Sequence, residues 1–405
     1  TYSHCTSITG NVTVQGTVAN LNGLTNLKSI GGDLKFDNVA ALQDITGLSG
    51  LQTVGGNVVI FGSFPLQNLT GLGALQSIGR DLQIGEATVS SRPSLKNLSG
   101  LGALQSIGGW LTLTWLPELQ SLDGLSALQT LGGPLFITNN PKLENLDELS
   151  DFHGLQDEVF IGYNEILTQV NGLSGLVNIP GRLVFSNNAK LSDISGVSGV
   201  KSIGKGLYIG YNPLLQNLNA LSGVTSIGDE INITNNTGLS SVEGLKNADI
   251  GGVNYLYITN NGALSICNLP NICTYLNTAK SRTISGNLGN CATEAAVQAA
   301  CSASPFTLTL AEAVNPQTCG GTDGAIVLMT TLPDGDYQLD FKKSSKDSSA
   351  AVEVINGTFV LEGLRAGSYT NFSITYQSEV ITAPGQRTLQ GPITAGGKIL
   401  VRGTF

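Results

Sequence analysis

Charged residues are scarce in this chain. Asp, Glu, Lys and Arg make up 12% of the 405 residues, and the acidic ones outnumber the basic ones 29 to 20, for a net charge of −9. That leaves no basic footprint for nucleic acid. Histidine occurs only as His4 and His153, so a His-based catalytic or metal site has little support, and nothing points to a Ser-His-Asp triad. No apolar run approaches the ~20 residues that a membrane-spanning helix needs, so membrane insertion is not expected. No signal peptide is present, and Thr1 reads as the start of a processed or trimmed chain. Glycine, by contrast, is abundant at 52 residues, and 41% of the chain is hydrophobic. A repetitive, turn-rich β protein fits this balance better than an ordinary enzyme does. The length allows two or three domains.

One short pattern organises the first two thirds of the chain. Its clearest copy is Leu135-Phe136-Ile137-Thr138-Asn139-Asn140, preceded by Leu131-Gly132-Gly133. It returns as Val159-Phe160-Ile161-Gly162-Tyr163-Asn164, Leu183-Val184-Phe185-Ser186-Asn187-Asn188, Leu207-Tyr208-Ile209-Gly210-Tyr211-Asn212 and Ile231-Asn232-Ile233-Thr234-Asn235-Asn236. Its anchors are Ile8, Ile30, Val54, Ile78, Ile107, Leu131, Leu155, Ile179, Ile203, Ile227 and Ile250. They define eleven turns stepped by 24 residues, except for 22 at the start, 29 between Ile78 and Ile107, and 23 at the end. A fixed period of this length means a solenoid, in which each unit buries its apolar edge only against its neighbours. The expected fold class is therefore an all-β parallel solenoid of about eleven turns. Stacked at about 4.8 Å per strand, these make a rod roughly 50 Å long.

Within a turn, the strand alternates apolar and outward residues. A second run then places apolar residues every third position, as in Leu42, Ile45, Leu48 and Leu51, which fits a tight 3₁₀-like or extended segment around a narrow core. Gly47, Gly71, Gly100, Gly124, Gly172, Gly196 and Gly244 recur in that run, where the backbone is expected to take positive φ or to pack closely. Asn140, Asn164, Asn188, Asn212, Asn236 and Asn261 fall at one position in successive turns. Stacked side chains there can bond the next turn's backbone and one another, so this ladder reads as structural. Earlier turns carry Val39, Ser63, Ala87 and Leu116 instead, so their corner must be built differently. The five extra residues before Ile107 are expected in an outward loop spanning residues 86–93. Residues 1–29 form an irregular first turn that serves as a cap or the stub of one.

The combination of Ile-Gly-Gly-x-Leu-x-Ile-x-x-Asn with Leu-x-x-Leu-x-Gly-Leu resembles the receptor L domain, and Leu183-Val184-Phe185-Ser186-Asn187-Asn188-Ala189-Lys190-Leu191 matches that pattern closely. The resemblance covers roughly residues 8–265. It implies the right-handed, leucine-rich β-helix of the insulin and epidermal growth factor receptor ectodomains and of related fungal wall proteins, here with more turns. It speaks to fold more than to ligand.

Residues 266–304 read as a cap on the solenoid. Cys267, Cys273, Cys291 and Cys301 lie within 35 residues. Such a cluster suggests a disulfide staple and an oxidising, extracellular setting, with the three pairings left open. A zinc site is less well supported, since no His lies near and paired Cys-x-x-Cys knuckles are missing. A short helix is expected over Glu294-Ala295-Ala296-Val297-Gln298-Ala299-Ala300-Cys301, with Thr293 as N-cap. The segment resembles the Cys-rich cap of secreted surface proteins of Bacteroidota. Ser302-Ala303-Ser304-Pro305 is the linker to a third region, residues 305–405. About seven short strands are expected there, including 306–310, 325–328, 337–341, 358–361, 372–376 and 399–401, in an immunoglobulin-like β-sandwich. Asp334-Gly335-Asp336 reads as a hairpin turn. Asn315-Pro316-Gln317-Thr318-Cys319-Gly320-Gly321-Thr322-Asp323-Gly324 and Gly363-Leu364-Arg365-Ala366-Gly367-Ser368-Tyr369 resemble the repeat module of gliding-type bacterial adhesins. That implies a stalk whose natural chain continues past Phe405.

The outward strand row runs Thr13, Lys35, Val59, Gln83, Thr112, Phe136, Phe160, Val184, Tyr208, Asn232 and Tyr257. From Phe136 onward it is mostly aromatic or apolar, and Trp110, Trp115, Tyr163 and Tyr211 flank it. An aromatic face on a rigid sheet marks an interaction surface, although cross-strand ladders or a cover from the chain itself would read the same way. The candidate ligand-binding residues are accordingly Trp110, Trp115, Phe136, Phe160, Tyr163, Tyr208, Tyr211 and Tyr257. Glu144, Asp147, Glu148, Asp151, Asp157, Glu158 and Glu165, near His153, offer a weak Ca²⁺ option or paired carboxylates, and fit a solvated acidic patch best. Otherwise no metal or cofactor is expected. Seven Asn-x-Ser/Thr sequons (Asn11, Asn68, Asn97, Asn232, Asn235, Asn356, Asn371) are glycan sites only in a eukaryotic secretory host. The expected function is a non-enzymatic, secreted or cell-surface adhesin binding a glycan or extracellular protein, as a monomer or part of a longer surface protein. A structural scaffold is the alternative, and a polysaccharide-active enzyme a distant third.

Overall fold

The structure, a computed structural model, describes residues 4–86, 92–302, 306–317, 320–376 and 379–390. Most of the expected loop, residues 303–305 of the linker, Cys319 and the strand expected at 399–401 lie outside these. The chain divides into two compact units, Thr1–Cys301 and Ser302–Phe405.

The first unit is built on parallel pairing. Twelve short strands, from Val12–Gln15 to Ser281–Ser285, form one parallel sheet. Eleven come from the anchored turns, and Ser281–Ser285 adds a twelfth from the cap. Ten of the eleven anchors, all but Ile250, end two-residue strands that pair in a second parallel sheet from Ser7–Ile8 to Gly154–Leu155, and a third sheet continues from Asn178–Ile179 to Ser226–Ile227. Alternation works as the period of two requires: in Leu135–Thr138, Leu135 and Ile137 are fully buried while Phe136 and Thr138 are half-exposed. The third-position residues Leu42, Ile45, Leu48 and Leu51 are also buried. Between them lies the 3₁₀ turn Thr46–Leu48, whose first amide is held by Asp44 Oδ1 at 2.7 Å. Hydrogen bonds from the Thr46 hydroxyl and amide hold the Asp44 carboxyl below its usual pKa. The same bond opens later turns from Asn68, Asn97, Asn145 and Asp193. Close approach explains the glycines of this run: a Cβ on Gly47 would lie 1.8 Å from the Leu21 carbonyl oxygen. Only Gly100 and Gly124 of the seven also take positive φ, at 112° and 109°.

The asparagine ladder carries two kinds of bond per rung. Each backbone amide donates to the Oδ1 of the next rung, as from Asn164 to Asn188 at 3.2 Å and from Asn188 to Asn212 at 3.1 Å. Each Nδ2 donates to a carbonyl one turn back, as from Asn188 to Ile161 at 3.0 Å. The ladder begins at Leu116, whose amide bonds Asn140 Oδ1, and extends beyond Asn261 to Asn287 in the cap. The earlier turns are joined at another corner by a second ladder. There Asn11, Asp33, Asn57 and Asp81 accept in sequence from the amides of Asp33, Asn57, Asp81 and Trp110, at 2.7–3.0 Å.

The cap closes the core with the helices Pro270–Leu276 and Glu294–Ser302, the second capped by Thr293 Oγ1. Disulfides join Cys267 to Cys291 and Cys273 to Cys301.

The second unit has two antiparallel sheets. One contains Leu308–Val314, Gly324–Thr330 and Thr358–Leu364; the other contains Gly335–Lys343, Lys346–Val354, Gly367–Tyr376 and Glu379–Leu389. The strands Lys346–Val354 and Glu379–Leu389 were not foreseen. The hairpin reading of Asp334-Gly335-Asp336 is corrected. Gly324–Thr330 and Gly335–Lys343 belong to different sheets, so the chain crosses over there instead of folding back. A hairpin turn sits at Ser344 and Ser345, both at positive φ, between Gly335–Lys343 and Lys346–Val354.

Removing one rung strands a buried amide and a buried carbonyl. Asn188→Ala should therefore cost about 3 kcal/mol in urea unfolding, against about 0.5 kcal/mol or less for the exposed Asn219→Ala. Equal losses would show that the ladder does not hold the turns together.

Candidate ligand-binding face

The sheet brings the outward row into register. Thr112 pairs with Phe136, Phe136 with Phe160, Phe160 with Val184, Val184 with Tyr208, Tyr208 with Asn232 and Asn232 with Tyr257. These side chains differ in exposure. Phe136, Phe160, Tyr208 and Tyr257 are half-buried and Val184 is buried. The flanking residues are the open ones: Trp110 is 48% exposed, Trp115 40%, Tyr163 49% and Tyr211 46%. Trp110 packs edge-on against Phe136, with ring centroids 5.9 Å apart, and Phe136 lies 6.1 Å from Phe160. This central row is thus partly a cross-strand packing ladder. Tyr255, 47% exposed and stacked on Tyr257 at 6.5 Å, belongs to the face but was missed. It pairs in register with Glu230, one residue before the apolar start of its strand, the position that Trp110 holds in an earlier turn and that the outward row skips.

Three of the open rings, Trp115, Tyr163 and Tyr211, share one backbone position. Each turn leaves its strand through a residue in the left-handed region: Asn38, Trp115, Asn139, Tyr163, Asn187, Tyr211, Asn235 and Asn260, with φ between 51° and 58°. Gly16, Gly62 and Gly286 occupy it elsewhere, also at positive φ. Glycine and asparagine suit this conformation, whereas a bulky side chain is strained there. Trp115, Tyr163 and Tyr211 depart from the rule, on every second turn, with Asn139 and Asn187 between them.

Two of these corners share a local device. In Phe160-Ile161-Gly162-Tyr163 and Tyr208-Ile209-Gly210-Tyr211, the outward ring lies along the strand over the glycine. A Cβ on Gly162 or Gly210 would come within 2.7 Å of the Phe160 or Tyr208 ring. Tyr208 is hydrogen-bonded to the side chain of buried Ser186, which also accepts from Asn187 Nδ2 at 2.7 Å. Burial raises the Tyr208 pKa, neighbouring Tyr211 adds to the rise, and the Ser186 bond opposes it. The phenol therefore keeps its proton at ordinary pH and shares Ser186 as a hydrogen-bond partner with Asn187.

A groove of about 340 Å³ runs along the corners, lined by Arg92, Trp115, Pro117, Asn139, Pro141, Tyr163, Glu165 and Asn187. The Arg92 guanidinium stacks over Trp115, 5.0 Å from the ring centroid. The acidic residues do not converge. Asp157 pairs with Lys205 at 3.1 Å, Asp147 accepts from Gln169, and His153 Nδ1 contacts the Asp151 carbonyl. Among the described residues, no three His, Cys, Asp or Glu side chains gather so as to hold a metal ion.

No protein-family model and no curated protein matches this chain. One similar solved structure is chitinase ChiW from Paenibacillus sp., described as a multi-modular enzyme machinery expressed at the bacterial cell surface. The likeness covers 95% of this chain and 24% of that one, at 10% identity and a TM-score of 0.18. This chain thus spans about a quarter of that protein's length, and at such a score the likeness carries no argument.

If the aromatic corners are held at a cost to the fold, replacing them with the residue usual at this position should relieve it. Tyr163→Asn and Tyr211→Asn should each leave stability unchanged or raise it by up to about 1 kcal/mol, measured by urea unfolding. A loss above about 1.5 kcal/mol would make these rings packing elements.

Proposed function

We propose that the first unit is a non-enzymatic recognition rod of a secreted or cell-surface adhesin, binding an extracellular glycan or protein through its aromatic face. The observation that carries this reading is the placement of Trp115, Tyr163 and Tyr211 at strained backbone positions where asparagine would serve the fold better. Strain of this kind clusters at functional sites. Among the described residues that line it, the groove has one carboxylate, Glu165, whereas glycoside cleavage of the ordinary kind uses a pair. The two disulfides are compatible with an oxidising, extracellular setting. The rod is read as a right-handed β-helix of receptor L domain type. The second unit is read as an immunoglobulin-like spacer. Its two antiparallel sheets favour that, as does the buried Tyr369, whose hydroxyl donates to the Arg365 carbonyl at 2.8 Å in the manner of a tyrosine corner.

A scaffold role without a ligand is the second reading, favoured by the ring packing of Trp110, Phe136 and Phe160. A glycan-array and cell-surface binding screen separates the two. It would compare the wild type with Phe160→Ser/Tyr208→Ser and with Tyr163→Asn/Tyr211→Asn. Binding by the wild type that is lost in the folded Tyr163→Asn/Tyr211→Asn protein is the expected result. Absence of any hit would favour the scaffold, and hits that survive both double substitutions would move binding to a different surface.

A further inference from the structure

We propose that the ligand is an uncharged, extended, β-linked hexose polysaccharide. It lies along the stacking direction of the turns, with Trp115, Tyr163 and Tyr211 each stacked on every second sugar. This inference rests on the recognition role proposed above and names its ligand class.

The first argument is spacing. Successive strands of the sheet lie about 4.8 Å apart, so rings on alternate turns are about 9.6 Å apart. In a fully extended β-linked hexose chain, alternate sugars present the same face, and the two-sugar repeat is close to this length. An α-linked chain coils and cannot keep three rings engaged. A β-strand ligand repeats every ~6.8 Å and falls out of step at once. A polyproline helix repeats every ~9.3 Å and does fit the spacing.

Hydrogen-bonding chemistry separates the two that fit. Between the rings stand the amides of Asn139 and Asn187. Asn187 already commits Nδ2 to Ser186, and Glu165 adds a carboxylate to the groove wall. The wall thus presents acceptors beside the donors of Asn139 and Arg92, and the acceptors need a ligand that donates. A polyproline chain has carbonyl acceptors and no N–H, whereas each sugar hydroxyl both donates and accepts. Aromatic faces suit the C–H surfaces of sugars, and the rigid rings lose little rotamer entropy on binding.

The third argument is charge. Arg92 and Glu165 in the groove offset one another, and nearby Lys142 is paired with Glu118 at 2.8 Å. A groove without net charge complements a neutral chain better than a uronate or sulfated one.

The arrangement sets a length rule. Three sugars reach two rings, and five sugars reach all three. Isothermal titration calorimetry of the full chain with cellobiose, cellotriose and cellopentaose, and with the manno- and chito-pentamers, reads this directly. Maltopentaose, pentagalacturonate and a polyproline peptide serve as comparisons. At least one β-linked pentamer is expected to bind about tenfold tighter than its trimer, the step worth about 1.4 kcal/mol for one added ring. Tyr163→Asn should lose about tenfold and Tyr163→Trp should retain binding. Trp115→Asn repeats the test at a different corner should the first variant fold poorly. Binding of polyproline in preference to every β-linked pentamer would overturn the ligand class while leaving the recognition face standing. So would hits in the wider screen without binding to any of these pentamers. Pentamer binding that is unchanged in Tyr163→Asn and Trp115→Asn would overturn the site.

Discussion

The turn-to-turn hydrogen bond at the asparagine corner is the constraint on which the rest of this structure depends. A solenoid turn must leave its strand, bend sharply and return without stranding backbone groups in a narrow core. The side chain of Asn140, Asn164 or Asn188 does this by accepting from an amide and donating to a carbonyl of the preceding turn, while its own backbone amide donates to the Oδ1 of the next rung. Because the bond forms only when turns are stacked one above the next, it also fixes their register. In-register stacking is what converts a row of single outward residues into a continuous face.

That division of labour explains how the corner can be strained without harm. The ladder residue is buried and satisfies the backbone, while the residue before it points to solvent and answers only to the left-handed conformation. Asparagine or glycine meets that demand at most turns. Where tryptophan or tyrosine stands instead, the fold gains nothing visible, and before the two tyrosines Gly162 and Gly210 let the Phe160 and Tyr208 rings lie along their own strand. Two glycines and three rings thus act together on one edge of the sheet, which is the pattern of a surface shaped for contact.

Much of this was legible in the sequence because the solenoid repeats. Period and alternation placed the anchors, the outward row, the ladder from Asn140 to Asn261 and the last helix with Thr293 as its cap. What escaped lay where the pattern changes. The early ladder mixes Asn11, Asp33, Asn57 and Asp81, so it is not a run of one residue type, and it sits before the strand instead of after it. Asn287 follows a step lengthened by the cap and drops out of a fixed period. Exposure could not be read from alternation alone: Phe136, Phe160 and Tyr208 alternate outward but lean on neighbouring rings, so the open surface lies one corner away, at Trp115, Tyr163 and Tyr211. The disulfide pairing followed from three-dimensional proximity, which spacing does not encode. In the second unit the crossover at Asp334-Gly335-Asp336 resembled a hairpin because turn residues mark a bend without saying which sheet the chain joins next.

Trp115 offers the most direct test of whether the strained corners are the contact surface. With two tryptophans in the chain, Trp110→Phe leaves Trp115 as the sole reporter. Its fluorescence, followed while the folded variant is titrated with the tightest-binding β-linked pentamer, should shift to shorter wavelength. It should also become shielded from acrylamide at the concentrations where calorimetry shows binding. An emission and quenching constant that stay unchanged while the pentamer binds would place the ligand elsewhere on the rod and contradict the assignment of the corners as its seat.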